Sequence, residues 1–179
     1  MPVNNTKRYQ KKDPIAHCLD RPDMYVGSTR IRTIQEHVAK KTEDGYKIYQ
    51  KSIASSPAIL RIFIEALSNA IDNVGRSRET KTKCTRIKVT IDKDTGRTSI
   101  WNDGDVVPIE INEEEGCYIH TMIFGQLLTG SNYDDEEERI LSGRNGLGIK
   151  LTNIFSSELT ISGADPSNKL TLEQTWREN

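Results

Sequence analysis

The sequence has few cysteines, little net charge and no long apolar run. Its 179 residues include only Cys18, Cys84 and Cys117, an odd number at wide spacings that fits neither a disulfide framework nor a Cys-x-x-Cys metal knuckle. A formal net charge of -1 offers no broad attraction to nucleic acid, so any DNA contact must come from a local patch or from parts of a longer protein. These absences favour a globular protein of a reducing compartment.

Targeting and membrane signals are also missing. The opening MPVNNTKRYQKKDP lacks the apolar core of a signal peptide, and no run of roughly 18 apolar residues could span a bilayer. A domain of about this length can bury roughly 70% of its unfolded surface without disulfides or metals. We therefore expect a polar arm over residues 1–12 and one domain over residues 13–179, in the cytosol or nucleus, with no membrane partner.

Capping residues and apolar periods predict the helices. Asp-Pro at 13–14 and Ser-Pro at 56–57 each supply a cap and a first-turn proline. The second pair begins an apolar period of about 20 residues that Gly75 closes. Shorter helices are expected at about 117–128 and from near Gly148. The apolar face of the long helix is predicted to comprise Ile59, Ile62, Phe63, Ala66, Leu67, Ala70, Ile71 and Val74.

Alternating polarity between turn residues predicts two hairpins, which pair RIKVTI with RTSIW and ELTISG with KLTLEQTW. Residues 31–53 are ambiguous, with strands expected around TIQEHV and YKIYQ on either side of the polar turn KKTEDG. The stretch TGSNYDDEEERILSGRNG, residues 129–146, has no hydrophobic period. A structureless connection of this length within a domain tends to be a lid or a binding loop.

One polar stripe on the long helix has the composition of a binding site. At roughly 100° per residue, Glu65, Asn69, Asp72, Asn73 and Arg76 fall on one side of the apolar face. A single Glu or Asn is usually a solvated surface residue, but this stripe carries no lysine. Amide oxygens bind hard cations, and a carboxylate one turn earlier could orient water on a metal-bound phosphate. WNDGD adds an amide and two carboxylates at a strand end, which equally fits a plain turn.

The glycine-rich stretch SGRNGLGIKLT, residues 142–152, fits neither familiar phosphate motif. A Walker A loop needs a lysine directly after its last glycine, whereas Ile149 follows Gly148. The glycine spacing also departs from G-x-G-x-x-G, and no strand leads into it. Flexible backbone amides, a helix start and the charges of Arg144 and Lys150 could still bind phosphate, or could form an ordinary capped turn.

Taken together, these segments resemble the ATPase domain of eukaryotic-type DNA topoisomerase II, within the gyrase, chaperone, histidine-kinase and MutL superfamily. IEALSNAIDN is similar to its N-box, SIWNDGDVVP to its adenine motif, FGQLLTGSNYDD to its lid-proximal segment and GRNGLGIKLTNIFS to its phosphate loop. YQKKDPIAHCLDRPDMYVGS resembles the segment that opens the domain. The resemblance implies the Bergerat or GHKL fold, an α+β two-layer sandwich in which helices cover one face of a mixed β-sheet.

The resemblance also implies residue roles. Glu65 would be the general base that polarises the water attacking the γ-phosphate, and Asn69 would bind Mg²⁺. Asn73 and Arg76 would contact phosphate, and Asn102 would read the adenine. The remaining implied contacts are Ser131 and Asn132 to the ribose, and Arg144, Asn145, Gly146, Leu147, Gly148 and Lys150 around the triphosphate.

At the level of the whole protein, the resemblance implies ATP-driven dimerisation that closes a gate for DNA strand passage. The implied cofactors are ATP and Mg²⁺. The resemblance also implies that the full-length enzyme binds DNA and that it is located in the nucleus. Tyr9 lies in the arm that crosses to the partner subunit of the homodimer. In the family the lysine that reaches the γ-phosphate belongs to the transducer domain that follows. This chain alone is therefore expected to bind ATP with little turnover.

Three positions depart from the family pattern, and two other readings stay open. Val106 stands where the adenine motif has its second glycine, Leu147 replaces a tyrosine and Gly130 replaces a serine. A stiff β-branched side chain at position 106 is expected to alter adenine affinity or lid motion. One alternative is therefore a non-catalytic, truncated or diverged nucleotide-binding module. Another is a chaperone or mismatch-repair ATPase, which TGSNYDD and the opening arm argue against.

Overall fold

The computed structural model describes residues 11–127, 129 and 146–178, which form one long helix, several short helices and four β-hairpins. The elements in chain order are α1 (Pro14–Asp20), β1 (Arg32–Thr42), β2 (Gly45–Ser55), α2 (Pro57–Arg76), β3 (Ile87–Ile91), β4 (Thr98–Asn102), β5 (Ile111–Asn112), β6 (Cys117–Tyr118), α3 (Ile119–Gly125), α4 (Gly148–Ile154), β7 (Glu158–Asp165) and β8 (Leu170–Arg177). The expectations for Tyr9, Gly130, Ser131, Asn132, Arg144 and Asn145 lie outside the described residues.

The two predicted proline-led helices form with the expected cap residues, but only the first cap makes side-chain hydrogen bonds to its helix. The Asp13 carboxylate accepts hydrogen bonds from the amides of Ile15 at 2.9 Å and Ala16 at 3.1 Å. Ser56 is the N-cap residue of α2, as predicted, but its side chain makes no hydrogen bond to the helix. Its hydroxyl instead donates to the Ser28 carbonyl at 3.3 Å. Within the described part of the chain, no helix is long and apolar enough to cross a membrane.

The two predicted hairpins are confirmed as β3–β4 and β7–β8, and the two strands expected within residues 31–53 pair as β1–β2, all of them antiparallel. A fourth hairpin, β5–β6, was not predicted, and it corrects the helix expected from about residue 117. Asn112 accepts from the Glu115 amide at 2.9 Å and so closes a tight turn, which makes Cys117 a strand residue. Helix α3 begins only at Ile119. The α+β class is confirmed. All strand pairs among the described residues are antiparallel, whereas the resemblance implied a mixed sheet.

The apolar core lies where α1, α2 and α4 meet. Its buried members are Cys18, Val26, Ala58, Leu151 and Ile154. Not all of the predicted apolar face of α2 is buried, since Ile59 is 65% and Ile71 52% exposed. The reason is that α2 contacts α4 and β4 with only part of its circumference. All three cysteines are free thiols, as their spacing predicted.

The hairpin β7–β8 packs against α3. Its inward face carries Leu172, Gln174 and Trp176, and its outward face is exposed. Gln174 donates to the Thr121 hydroxyl at 2.7 Å, which ties β8 to α3. This arrangement places the middle of β7 beside the loop that follows β4.

Candidate functional site

Helices α2 and α4 bring the Glu65 carboxylate against the first turn of α4. A Cβ at Gly148 would overlap this carboxylate, so only glycine permits the approach. Arg61, one turn earlier on α2, pairs with Glu65 at 2.6 Å, and the Glu65 side chain is 19% exposed. The Thr152 hydroxyl donates to the Ile62 carbonyl at 2.9 Å and links the two helices. The predicted catalytic carboxylate is therefore held in place and partly shielded from water.

Asn69 lies one turn further along α2 and is half-buried. Its Nδ2 donates to the Glu65 carbonyl at 2.7 Å, and among the described residues no donor reaches its Oδ1. That oxygen is the atom left to meet a ligand. In the described ranges, no group of three or more His, Cys, Asp or Glu side chains could hold a metal. A cation bound at the Asn69 Oδ1 would be held by an oxygen ligand, the type that Mg²⁺ prefers.

Asn73 joins α2 to the loop after β4. Its Nδ2 donates to the Asn102 Oδ1 at 2.8 Å and to the Asp105 carbonyl at 3.0 Å. The Gly104 amide also donates to the Asn102 Oδ1, at 3.1 Å. A Cβ at Gly104 would lie 2.7 Å from the Asn73 Nδ2, so the loop packs directly on that amide. The structure thus brings together two of the predicted site residues, Asn73 and Asn102.

Asp103 anchors this loop from the other side, a role that the sequence reading missed. Its carboxylate accepts from the Thr85 amide at 2.8 Å, the Thr85 hydroxyl at 2.7 Å and the Arg86 amide at 2.8 Å. The Thr85 hydroxyl, followed by the two amides, lowers the pKa of Asp103 from 3.8 to about 2. The only sequence signal was an aspartate directly after a strand end, which by itself indicates no more than a turn.

Lys150 takes a different position from the one expected of a triphosphate contact. The residue is 2% exposed. Its ammonium group donates to the Thr129 carbonyl and, at 2.5 Å, to the Gly146 carbonyl. Burial lowers its pKa from 10.5 to about 8. Leu147 packs against the apolar core rather than standing free. The roles expected of Gly146, Leu147 and Lys150 toward a nucleotide stay predictions.

The predicted residues of α2 therefore form a continuous polar face with two ends. Glu65 meets α4 at one end, and Asn73 meets the loop after β4 at the other. Asn69 lies between them. Arg76 is exposed at the end of the helix, where its guanidinium donates to the Asn69 carbonyl at 3.4 Å. This face has the composition of a site that holds a phosphorylated ligand and a hard cation.

The Asp103 anchor predicts an acid-sensitive loop. Because the pKa of Asp103 is lower in the folded state than in the unfolded state, its stabilising effect is present above pH 3.8 and is lost as the pH falls to about 2. We expect Asp103→Asn to lower the thermal unfolding midpoint at pH 7, and the difference from the parent chain to shrink by pH 2. Circular dichroism melts across this range would measure it. Asp94→Asn, at a carboxylate 79% exposed in the β3–β4 turn, is the control. A constant difference across the range would contradict this role.

Comparison with known proteins agrees with this geometry. Residues 54–173 match the family model described as histidine kinase-, DNA gyrase B-, and HSP90-like ATPase. The chain is 44% identical over 174 residues to DNA topoisomerase 2 of Plasmodium falciparum, covering 97% of this chain and 12% of that protein. It is 42% identical over 171 residues to human DNA topoisomerase 2-alpha, covering 96% of this chain and 11% of the relative. The chain thus spans about one eighth of these relatives.

Solved structures of topoisomerase II ATPase regions are also similar to this chain. The ATPase region of Saccharomyces cerevisiae topoisomerase II superposes with a TM-score of 0.87 and 38% identity, covering 96% of this chain and 44% of that one. The ATPase and transducer domains of topoisomerase II from Balamuthia mandrillaris superpose with a TM-score of 0.86 and 42% sequence identity. This match covers 97% of this chain and 42% of that one. The α+β fold is therefore the GHKL fold. The chain belongs to the histidine kinase-, DNA gyrase B- and HSP90-like ATPase family, and it is similar over nearly its whole length to the ATPase region of DNA topoisomerase II.

Proposed function

We propose that this chain binds and hydrolyses ATP as the ATPase part of a type IIA DNA topoisomerase. The observation that carries the proposal is the approach of the Glu65 carboxylate to Gly148, with Asn69 one turn away on the same face of α2. A carboxylate and an amide oxygen on one helix face, beside the start of a second helix, together suit a nucleoside triphosphate. The likeness to DNA topoisomerase 2 proteins supports the assignment and does not favour a non-catalytic module.

In this proposal Glu65 orients the attacking water and accepts its proton. The ion pair with Arg61 and the contact at Gly148 limit the carboxylate to a narrow range of positions. Such positioning accounts for a large part of catalysis in phosphoryl transfer, because little covalent chemistry is left for the protein. Partial burial of Glu65 also reduces the number of competing waters around it.

Asn69 would hold Mg²⁺ through its Oδ1. The bond from its Nδ2 to the Glu65 carbonyl fixes which amide atom is left for the ion. Bound Mg²⁺ would neutralise charge on the phosphates. Arg76 would contact phosphate from the end of α2, and Lys150 would set the backbone of the phosphate loop through its bonds to two carbonyls. Ser131 and Asn132 are proposed at the ribose, and Arg144, Asn145, Gly146, Leu147 and Gly148 around the triphosphate.

Asn102 would form the base side of the site, where Asn73 holds it, and the phosphate contact expected of Asn73 stays part of the proposal. Their shared hydrogen bond, together with those to Gly104 and the Asp105 carbonyl, gives a rigid polar edge at the end of β4. A rigid edge costs little conformational entropy when a base binds to it. We propose that Asn102 contacts the adenine there.

Titration calorimetry of a nonhydrolysable ATP analogue tests the binding site. We expect Asn69→Ala to weaken analogue binding about tenfold with Mg²⁺, and to remove most of the difference between titrations with Mg²⁺ and with EDTA. Asn168→Ala, an exposed amide in the β7–β8 turn, should bind like the parent chain. Absence of any heat or thermal shift in the parent chain would overturn the proposed ATP site.

Hydrolysis tests Glu65 separately from binding. We expect Glu65→Gln to keep the analogue affinity within about threefold and to slow phosphate release at least about a hundredfold. Single-turnover measurements with the chain in excess of radiolabelled ATP would detect even slow hydrolysis. Glu79→Gln, at an exposed carboxylate just beyond α2, is the matched control. Full activity in the Glu65 variant would disprove the general-base role.

We further propose that ATP binding drives homodimerisation and that the full-length protein passes DNA through the gate so closed. A nuclear location is part of the proposal, although a relative from Caenorhabditis elegans, 41% identical, is named a putative mitochondrial DNA topoisomerase 2. DNA would be met through other parts of the enzyme, since this chain has a net charge of -1.

The arm over residues 1–12 is proposed to reach the partner subunit. We expect its deletion to reduce the dimer fraction that forms with the ATP analogue, because Tyr9 would no longer contact the partner's nucleotide. Sedimentation velocity with and without analogue would measure this fraction. Tyr9→Ala in the intact chain separates that contact from loss of the arm as a whole. An unchanged sedimentation profile for both variants would contradict the crossing arm.

A further inference from the structure

Val106, the residue that departs most from the family motif, lies against Gly163 of β7. A Cβ built at Gly163 would be 2.8 Å from the Val106 Cγ2, closer than packed carbon atoms approach each other. The valine methyl group therefore fills the space that any side chain at position 163 would need. Gly163 is an inward-facing residue of its strand and pairs with Leu172 of β8.

A side chain at position 163 would also contact His120. The same Cβ would be 3.7 Å from the His120 Nε2, in ordinary contact. His120 itself is 2% exposed in the first turn of α3 and has no room to withdraw. The backbone of β7 is fixed by its pairing with β8. A side chain at position 163 would consequently displace Val106 rather than His120 or the strand.

A shift of Val106 would directly affect the base side of the proposed site, because the residue next to it is part of that side. Asp105 precedes Val106, and its carbonyl accepts the hydrogen bond from Asn73 at 3.0 Å. Asn73 also holds Asn102, at 2.8 Å. Gly104 cannot absorb the shift, because it already packs directly on the Asn73 amide. Movement of residue 106 would therefore strain the network that orients Asn102.

We propose that Gly163 is a positioning residue for nucleotide binding: its missing side chain leaves room for Val106, so that the loop after β4 is not pushed out of register with Asn73. The inference rests on the proposed ATP site and adds a residue to it that touches no nucleotide. It also accounts for Val106: the bulky side chain is accommodated because the residue opposite it has none.

A double-mutant cycle on the full 179-residue chain tests the pair. We expect Gly163→Ala to weaken binding of the nonhydrolysable ATP analogue about tenfold, since overpacking of this kind forces neighbouring backbone to shift. Val106→Ala removes the Cγ2 and should change the affinity less than about threefold. The double variant Val106→Ala with Gly163→Ala should recover the affinity of Val106→Ala, because the conflict between the two side chains is gone.

Ser162→Ala, at the neighbouring exposed position of β7, is the matched control and should bind like the parent chain. If Gly163→Ala does not fold, refolding and analogue binding in the double variant would still support the pair. Two results would overturn this inference alone, provided that the parent chain binds the analogue. One is a double variant that binds as weakly as Gly163→Ala, and the other is a Gly163→Ala variant that binds as tightly as the parent chain. Absence of binding by the parent chain would overturn the proposed function and the inference with it.

Discussion

The arrangement of the site depends on one steric condition: α4 must start where it can touch the Glu65 carboxylate. Gly148 meets this condition because its missing side chain leaves the space that the carboxylate occupies. The small buried residues Ala58 and Ala70 of α2 also allow close packing around the helix. Once α4 lies there, Thr152 bonds to α2 and Lys150 bonds to the carbonyls of residues 129 and 146. The first turn of α4 and the polar face of α2 are therefore positioned by the same contact.

The second end of α2 is organised differently. There the loop after β4 is held from two sides, by Asn73 on the helix and by the backbone and hydroxyl groups that bind Asp103. Glu65 is positioned by steric contact and one ion pair, whereas Asn102 is positioned by a hydrogen-bond network. If a nucleotide binds along α2, its phosphates would lie near Glu65, which steric contact positions. Its base would lie near Asn102, which hydrogen bonds position.

Much of the fold could be predicted because the signals are local. Proline at the first turn, alternating polarity and turn residues identified α1, α2, two hairpins and the strands β1 and β2, and helical spacing placed Glu65, Asn69 and Asn73 on one face. Apart from the hairpin β5–β6, which a local turn closes, the failures share a physical cause, which is that a tertiary partner decided the outcome. Ser56 bonds to a distant carbonyl instead of its own helix, and Asp103 binds residues 17 or 18 positions earlier. The contact between Val106 and Gly163 joins a loop to a strand more than 50 residues away, and no periodicity reports it.

The close approaches at Gly104, Gly148 and Gly163 have a consequence for how this domain tolerates sequence change. Each position has an ordinary backbone conformation, so the restriction is one of volume and not of torsion angle. Loss of a functional group, such as the Asn69 amide, leaves a cavity or a water-filled gap that the fold can accept. Gain of a single methyl group at any of the three glycines forces a neighbouring group to shift: Asn73 or Cys84 at Gly104, the Glu65 carboxylate at Gly148 and Val106 at Gly163. At these positions an added atom would therefore disturb the geometry of the site without removing any of its functional groups.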